Sequence, residues 1–431
     1  MGTASRGFLR TRSFLSYFGM NLSGRTASAV VNVAILLLVA KSANSLSQSA
    51  LYVTIVGVAE TLAAVVTTLP AGVLVDRHDR RKLLVLANSV RAASFGLLAV
   101  VTALYGFQFL AVVAVAVVWN SAGELNRSTS YSVLPDLVNA DVIADANGVT
   151  MAGFNLVGSA SNALGGAIMA VAGAALAFGY GFVGYSAALV FSLLILRYAA
   201  KQKRTVDRKR KMGAEIKEGF SWLVTQRGLL QLSVSALVFN FLFGMANAFL
   251  VLYVVFALGG GAILFGVVLA AFVVGNATGS LFVGKTGAIR HAGKVWVLCY
   301  GGGVGVLTLL MGVFPATAVA MAAIVAVGFA ISFSGNVWLS SAQGLVPTTM
   351  RGRYFAVDGL LSFIGGPPSI ATGGILIATL GVARMYEVVG VLMVISAAVF
   401  ALMRNLWALD GRVKNEPPGA GSSSQVTSPL A

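Results

Sequence analysis

Apolar stretches of twenty residues or more recur along nearly the whole chain, and no other feature narrows the possible folds as much. A helix rises about 1.5 Å per residue and needs roughly 20 apolar residues to cross a bilayer core of about 30 Å. Twelve such runs can be marked. Six lie at 14–40, 50–74, 83–104, 107–127, 142–173 and 176–197; after a polar stretch come 229–258, 262–283, 295–314, 316–340, 355–380 and 383–403. Lipid satisfies no backbone hydrogen bond, so each run must close its own bonds as a helix. The fold class expected is an all-α integral membrane protein with twelve transmembrane helices. With 58% hydrophobic and 10% charged residues, a mean hydropathy of +0.87 leaves no room for a soluble domain of any size. The 50 glycines suit close and mobile helix contacts in lipid.

Charge placement orients the bundle. The net charge of +16 does not point to nucleic acid, because 26 of the 30 Lys and Arg fall on the links of one side when both termini are placed inside. Links of the other side hold only Lys41 and Arg384, and two arginines, Arg25 and Arg91, fall within spans. A multi-pass protein of the cell membrane with both termini cytoplasmic is expected. The basic N-terminal segment imitates a secretory signal, but its apolar run is long, carries Asn21 and Arg25, and leads into further spans, so it reads as a retained first helix. The chain divides into a six-helix bundle (1–197), a basic cytoplasmic linker (198–228) that is helical in part, a second six-helix bundle (229–403) and a disordered tail (404–431).

The two halves are related. Gly165-Gly166 and Gly373-Gly374 lie 208 positions apart, as do GVLVDRHDRRK (72–82) and SLFVGKTGAIR (280–290). A six-plus-six duplication follows. The first of these blocks resembles the loop signature of the major facilitator superfamily, between its second and third helices. YSVLPDLVNADVIADANG after the fourth helix, KEGFSWLVTQRGLLQLSVSALVFN leading into the seventh and LVPTTMRGRYFAV before the eleventh resemble the macrolide and siderophore exporter branch. The resemblance implies the major facilitator fold, two pseudo-symmetric six-helix bundles, and efflux of amphipathic compounds against a proton gradient. It also implies a latch that holds the outward-facing state, at Gly72, Asp76, Arg77, Arg80 and Arg81. Two departures are visible. The fifth helix reads Ser161-Asn162-Ala163-Leu164-Gly165-Gly166 where many exporters carry a proline, and the second loop copy has Ser280 and Gly284 in place of the glycine and the acid, which weakens that latch.

Charges inside the membrane need a partner or a task, since each costs about 2.5–3.5 kcal/mol on insertion scales. Glu60 and Arg25 fall at similar depth in neighbouring helices, so a Glu60–Arg25 pair is expected. Glu60 is the candidate proton carrier, tuned by Arg25 or Arg91 as alternating access changes their distance; a permanent structural ion pair is the plainer reading. Glu124 and Arg127 are spaced to pair on one helix face, with Arg127 expected to face Asp76 in the latch. Asp145 and Asp358 complement helix N-termini. By the geometry of the resembled family, the first, fourth, seventh and tenth helices line the cavity. That makes Asn32, Asn120, Asn240, Asn247 and Asn336 candidate substrate contacts, with Trp119, Phe239, Phe243 and Trp338 beside them; each is also explained as interhelical glue or packing.

No GxxxxGK[ST] loop occurs, so ATP hydrolysis is not expected; His78 and His291 lack ligand partners, and neither cofactor nor metal nor catalytic set is indicated. The chain is expected to be no enzyme but a monomeric secondary transporter, its partners a small-molecule substrate, protons and membrane lipids. Alternatives are a facilitator or importer of a polar or anionic solute bound by Arg25 and Arg91, or a membrane sensor or scaffold that moves nothing.

Overall fold

The computed structural model describes residues 9–139, 142–198, 212–286, 291–347, 350–403 and 406. Every regular element in them is helical, and twelve helices are long and apolar enough to span a membrane. The N-terminal half comprises α1 (Arg12–Lys41), α2 (Leu46–Arg77), α3 (Arg80–Tyr105), α4 (Phe109–Leu137), α5 (Ile143–Val171) and α6 (Gly173–Tyr198). Polar caps mark several starts: Thr11, Ser45 and Asp79 accept backbone N–H bonds from the first turns of α1, α2 and α3. The amphipathic α7 (Met212–Thr225) is the helical part of the linker; residues 199–211 and, except for 406, the tail from 404 lie outside the described residues.

The second half begins with α8 (Arg227–Ala248), which breaks at Phe249 before α9 (Leu250–Leu252) and a π-helical turn, Tyr253–Ala257. The single run 229–258 is thus one span with a bend near its far end. Next come α10 (Ala262–Thr286), α11 (Ala292–Val295) with the π-helical Trp296–Gly303, α12 (Val304–Val313) and α13 (Thr317–Leu345). The eleventh span is divided at Gly365 into α14 (Arg351–Ile364) and α15 (Gly366–Leu380), because Pro367 and Pro368 cannot donate into the preceding turn. The chain ends its membrane part with α16 (Val382–Ala401). By contrast α5 runs unbroken through Ser161 to Gly166, where no proline interrupts it.

The duplication reappears in the backbone. Gly173, between α5 and α6, has φ +76°, and Gly381, between α15 and α16, has φ +84°; they lie 208 positions apart, and the left-handed turn each makes is one that side chains disfavour. Packing repeats as well: α2 lies on α4 as α10 lies on α13, and α3 lies on α6 as α12 lies on α16. Outward-facing Leu, Val and Ile side chains stay exposed along many spans, including Leu97, Leu104, Leu110, Leu176 and Val183, as a lipid-contacting surface requires.

The halves meet along two seams, α5 against α10 and α2 against α15. Glycine makes both possible. A Cβ on Gly166 would collide with the Ala262 carbonyl, one on Gly266 would approach the Asn162 carbonyl to 2.6 Å, and one on Gly374 would run into Thr54. Farther along the second seam, Gly366 faces Thr61 at 2.9 Å and Gly57 faces Ile370 at 3.3 Å. These contacts occupy the half of the molecule away from the chain termini. On the terminal face, no hydrogen bond or ion pair joins the two bundles among the described residues.

Candidate functional site

Glu60 lies half-way along α2, on the stripe that includes the buried Val53, Val56 and Ala63. It is half-buried and, among the described residues, makes neither hydrogen bond nor ion pair. The expected pair with Arg25 is not formed. The reason is packing: α1 lies chiefly on α5 and α6, so Arg25 turns toward α5, where its guanidinium fills the space left by Gly158, with Nη2 2.9 Å from where a Cβ would stand.

Arg91 sits deeper and is only 7% exposed. Its Nη2 donates to Ser28 Oγ and to the Tyr185 hydroxyl, each at 2.9 Å, and its guanidinium lies 4.1 Å from the Tyr185 ring centroid. Trp119 Nε1 donates to the same hydroxyl at 2.7 Å. With two donors aimed at it, Tyr185 sends its own proton to Ser28 Oγ, 2.8 Å away. Tyr185 on α6 is thus the hub of this network and was not singled out by the sequence. The signal available was a phenol half-way along a largely apolar span, which must find a partner in lipid. Arg25 and Arg91 open onto one cavity of about 230 Å³ between α1, α3, α4 and α5, toward the terminal face; Asn21, Ser28, Asn126 and Asn147 share its wall.

The latch residues are largely apart. Arg127 pairs with Glu124 (Nη2–Oε2 2.7 Å) and not with Asp76, which is exposed at the end of α2 with no partner among the described residues. Thr68 Oγ1 reaches the same Glu124 oxygen at 3.5 Å. Arg77 is exposed, and Gly72 has open space where a Cβ would point, so the close crossing expected there is absent. Arg80 instead bonds the Ser132 carbonyl (2.7 Å) and Asp136 (3.0 Å) at the end of α4, and Arg81 pairs with Asp79 at 2.8 Å. Asp79 and Asp136, the acids that hold these arginines, carried no assignment in the sequence.

The proposed cavity residues divide. Asn32 and Asn120 are half-buried, and Asn120 returns its amide to the Ala116 carbonyl. Trp119 points into the N-terminal bundle, edge-on to Phe95. Phe239 is fully buried among Trp296, Tyr300 and Phe400, a packing position and not a cavity wall. Asn240 accepts the Tyr300 hydroxyl at 2.6 Å. Phe243 and the exposed Asn247 line a narrow crevice with Phe272 and Tyr386. Asn336 donates to the Ser332 carbonyl (2.7 Å) and Ser280 Oγ (3.3 Å), joining α13 to α10 as interhelical glue. Trp338 packs on Trp296 and Phe355. Phe239 and Trp119 share one cause: a residue on a cavity-lining helix still has an inner face, and one position along the helix turns a side chain by about 100°. Asp358 is buried in α14 and accepts from Ser233 Oγ at 3.0 Å, a more interior place than a helix N-terminus.

No group of three or more His, Cys, Asp or Glu assembles a metal site among the described residues. The arrangement is that of two helical bundles, the first with a polar interior in which Glu60, Arg25 and Arg91 have no ion-pair partner among the described residues. A family model described as "Transmembrane secretion effector" matches residues 4–416. The chain belongs to that family of major facilitator proteins. No curated protein matches it in sequence. Among solved structures, it is similar to a bacterial homologue of the human lysosomal transporter Spinster, in an inward-facing, unoccupied conformation (15% identity, 94% of this chain and 98% of that one, TM-score 0.66). It is similar also to a D-xylose–proton symporter (14%, 95% and 100%, TM-score 0.70) and to an auto-inhibited peptide transporter of the POT family (12%, 91% and 96%, TM-score 0.70). At these identities the likeness concerns the fold. This family member is a multi-pass membrane transporter.

Proposed function

We propose that this transporter is a secondary active exporter of amphipathic small molecules, driven by protons entering through Glu60 and working as a monomer in the cell membrane with both termini cytoplasmic. The carrying observation is the lone carboxylate half-way through α2. It belongs to a molecule whose halves, among the described residues, touch through glycine seams on the side away from the termini. A carboxylate without a cation partner in a membrane interior is stable when protonated and costly when ionised, so its proton is exchanged when water reaches it from one side or the other. The seams on the far side, the lack among the described residues of hydrogen bonds and ion pairs between the bundles on the terminal side, and an Asp76 with no partner among those residues fit an inward-facing state. In that state the first-loop latch has no work to do. The family's description as secretion effectors favours the outward direction. Rocking about the seams would then close the terminal side and bring Asp76 toward the start of the second bundle.

The test is flux through purified protein in liposomes under an imposed pH gradient, with cationic, neutral and anionic fluorescent amphipaths offered in turn. Gradient-driven movement of any of them, reduced to passive equilibration in Glu60→Gln, is the expected result. Movement that ignores the gradient in the unaltered protein would overturn the coupling and leave a facilitator.

A further inference from the structure

We infer that the cavity in the N-terminal bundle binds the anionic head of a small organic acid, with Arg25 and Arg91 as the two cations that receive it. Treating that acid as cargo rests on the transporter reading above; the binding itself does not.

Arginine cannot shed its proton in a protein, so both charges persist whatever surrounds them. In a membrane interior such charges are ordinarily matched by a carboxylate. Among the described residues no ion pair involves Arg25 or Arg91, and the Nε atom of each is buried without a hydrogen-bond partner. Two acids of α4 are already engaged: Glu124 holds Arg127, and Asp136 holds Arg80. Among the described residues no Asp or Glu lines the cavity. Glu60 lies on α2, which contributes nothing to the cavity wall.

The two guanidinium groups are also held in position. Ser28 and Tyr185 fix one end of Arg91, leaving its Nε unspent. Gly158 supplies the room in which Arg25 lies. Two cations that line one space without a carboxylate partner form a site for a negative group that accepts several hydrogen bonds, as a carboxylate does. The volume narrows the class further. About 230 Å³ is less than the roughly 300–1,000 Å³ of a drug-sized pocket, so the cavity takes a head group while the body of the molecule projects outward. The rim carries Tyr131 and Met151, both exposed, and Phe154. An aromatic or alkyl body finds contact there, which an inorganic ion would not use.

The test is equilibrium binding to the purified full-length protein in neutral detergent, followed by the fluorescence of 2-naphthoate. Uncharged 2-naphthamide is the control. The expected result is saturable binding of naphthoate, with naphthamide weaker by about tenfold or more, because a charge-assisted bond to each guanidinium is lost. Arg25→Gln should weaken naphthoate binding by about tenfold on the same ground. Gly158→Ala keeps every charge and forces the Arg25 guanidinium aside; it should weaken naphthoate but not naphthamide. Thermal unfolding of each variant identifies one that has failed to fold, and Gly158→Ala then carries the test in place of Arg25→Gln. No saturable naphthoate binding, equal binding of the amide, or an affinity unchanged in both folded variants would overturn the proposal. So would displacement by short-chain phosphatidylglycerol at concentrations below those of naphthoate itself, which would assign the cavity to a lipid head group. Failure of proton-driven flux leaves this assay untouched, and failure of naphthoate binding leaves Glu60-dependent flux standing.

Discussion

The two bundles share a fold and differ in what fills them. Inside the N-terminal bundle lies a polar network: Arg91, Ser28, Trp119 and Tyr185 joined by hydrogen bonds, with Arg25 on the same cavity and Asn88 bonded to both Asn126 and Ser192. Inside the C-terminal bundle lies an aromatic core, in which Phe239, Trp296, Tyr300, Trp338 and Phe400 meet tilted or edge to face. Its one buried carboxylate, Asp358, is satisfied by Ser233. Six helices and a repeated packing pattern do not require one kind of interior. The first copy keeps charge in its interior and the second keeps aromatic packing; on the proposed reading a solute or proton uses the first, and the second is the firm body against which it rocks.

That contrast can be broken at several points. The largest effect on flux is expected where the halves are alike. Gly166→Leu and its repeat partner Gly374→Leu each drive a side chain into the facing bundle, against Ala262 and Thr54. Overpacking a closed contact costs about 1–3 kcal/mol, so each should cut liposome flux by about tenfold or more. A silent Gly374→Leu would mean that only one seam opens and closes. Next, Phe239→Ala empties the aromatic core and should destabilise the protein by about 3–5 kcal/mol in a reversible unfolding assay. A small loss there would show that the second bundle is not the firm one.

The polar bundle should respond to a change that alters no shape. Tyr185→Phe removes the hydroxyl shared by Arg91, Trp119 and Ser28 and should cost about 1–2 kcal/mol, measured by the same unfolding assay. Tyr300→Phe is the matched change in the aromatic bundle. It removes a single bond to Asn240 and should cost about 0.6 kcal/mol, the average for such bonds between membrane helices. Equal costs for the two would erase the distinction between the interiors. The smallest effect is expected on the terminal face, where α7 docks on α14 through Glu218 and Arg353 (2.7 Å). Glu218 is more than half exposed, so Arg353→Ala should change stability by less than about 1 kcal/mol. Its expected sign is faster tryptic cleavage in the basic linker.

The apolar runs were enough to determine the number of spans, because a helix in lipid must bury its own backbone bonds and its length is set by the hydrocarbon thickness. The 208-residue repeat announced the two halves, and turns Gly173 and Gly381 obey it to the residue. The sequence also singled out Glu60, Arg25 and Arg91, since charges in apolar runs are conspicuous. It could not say which of them face one another. Depth along a helix can be counted from the chain, but azimuth depends on which neighbour a helix packs against. Sequence neighbours suggested α1 beside α2, whereas glycines such as Gly153, Gly158, Gly165 and Gly184 let α5 and α6 come close to α1 instead. Only that tertiary choice turned Arg25 away from Glu60, gathered it with Arg91 on one cavity, made Tyr185 the hub of the Arg91 network, and left Glu60, Arg25 and Arg91 without ion-pair partners among the described residues.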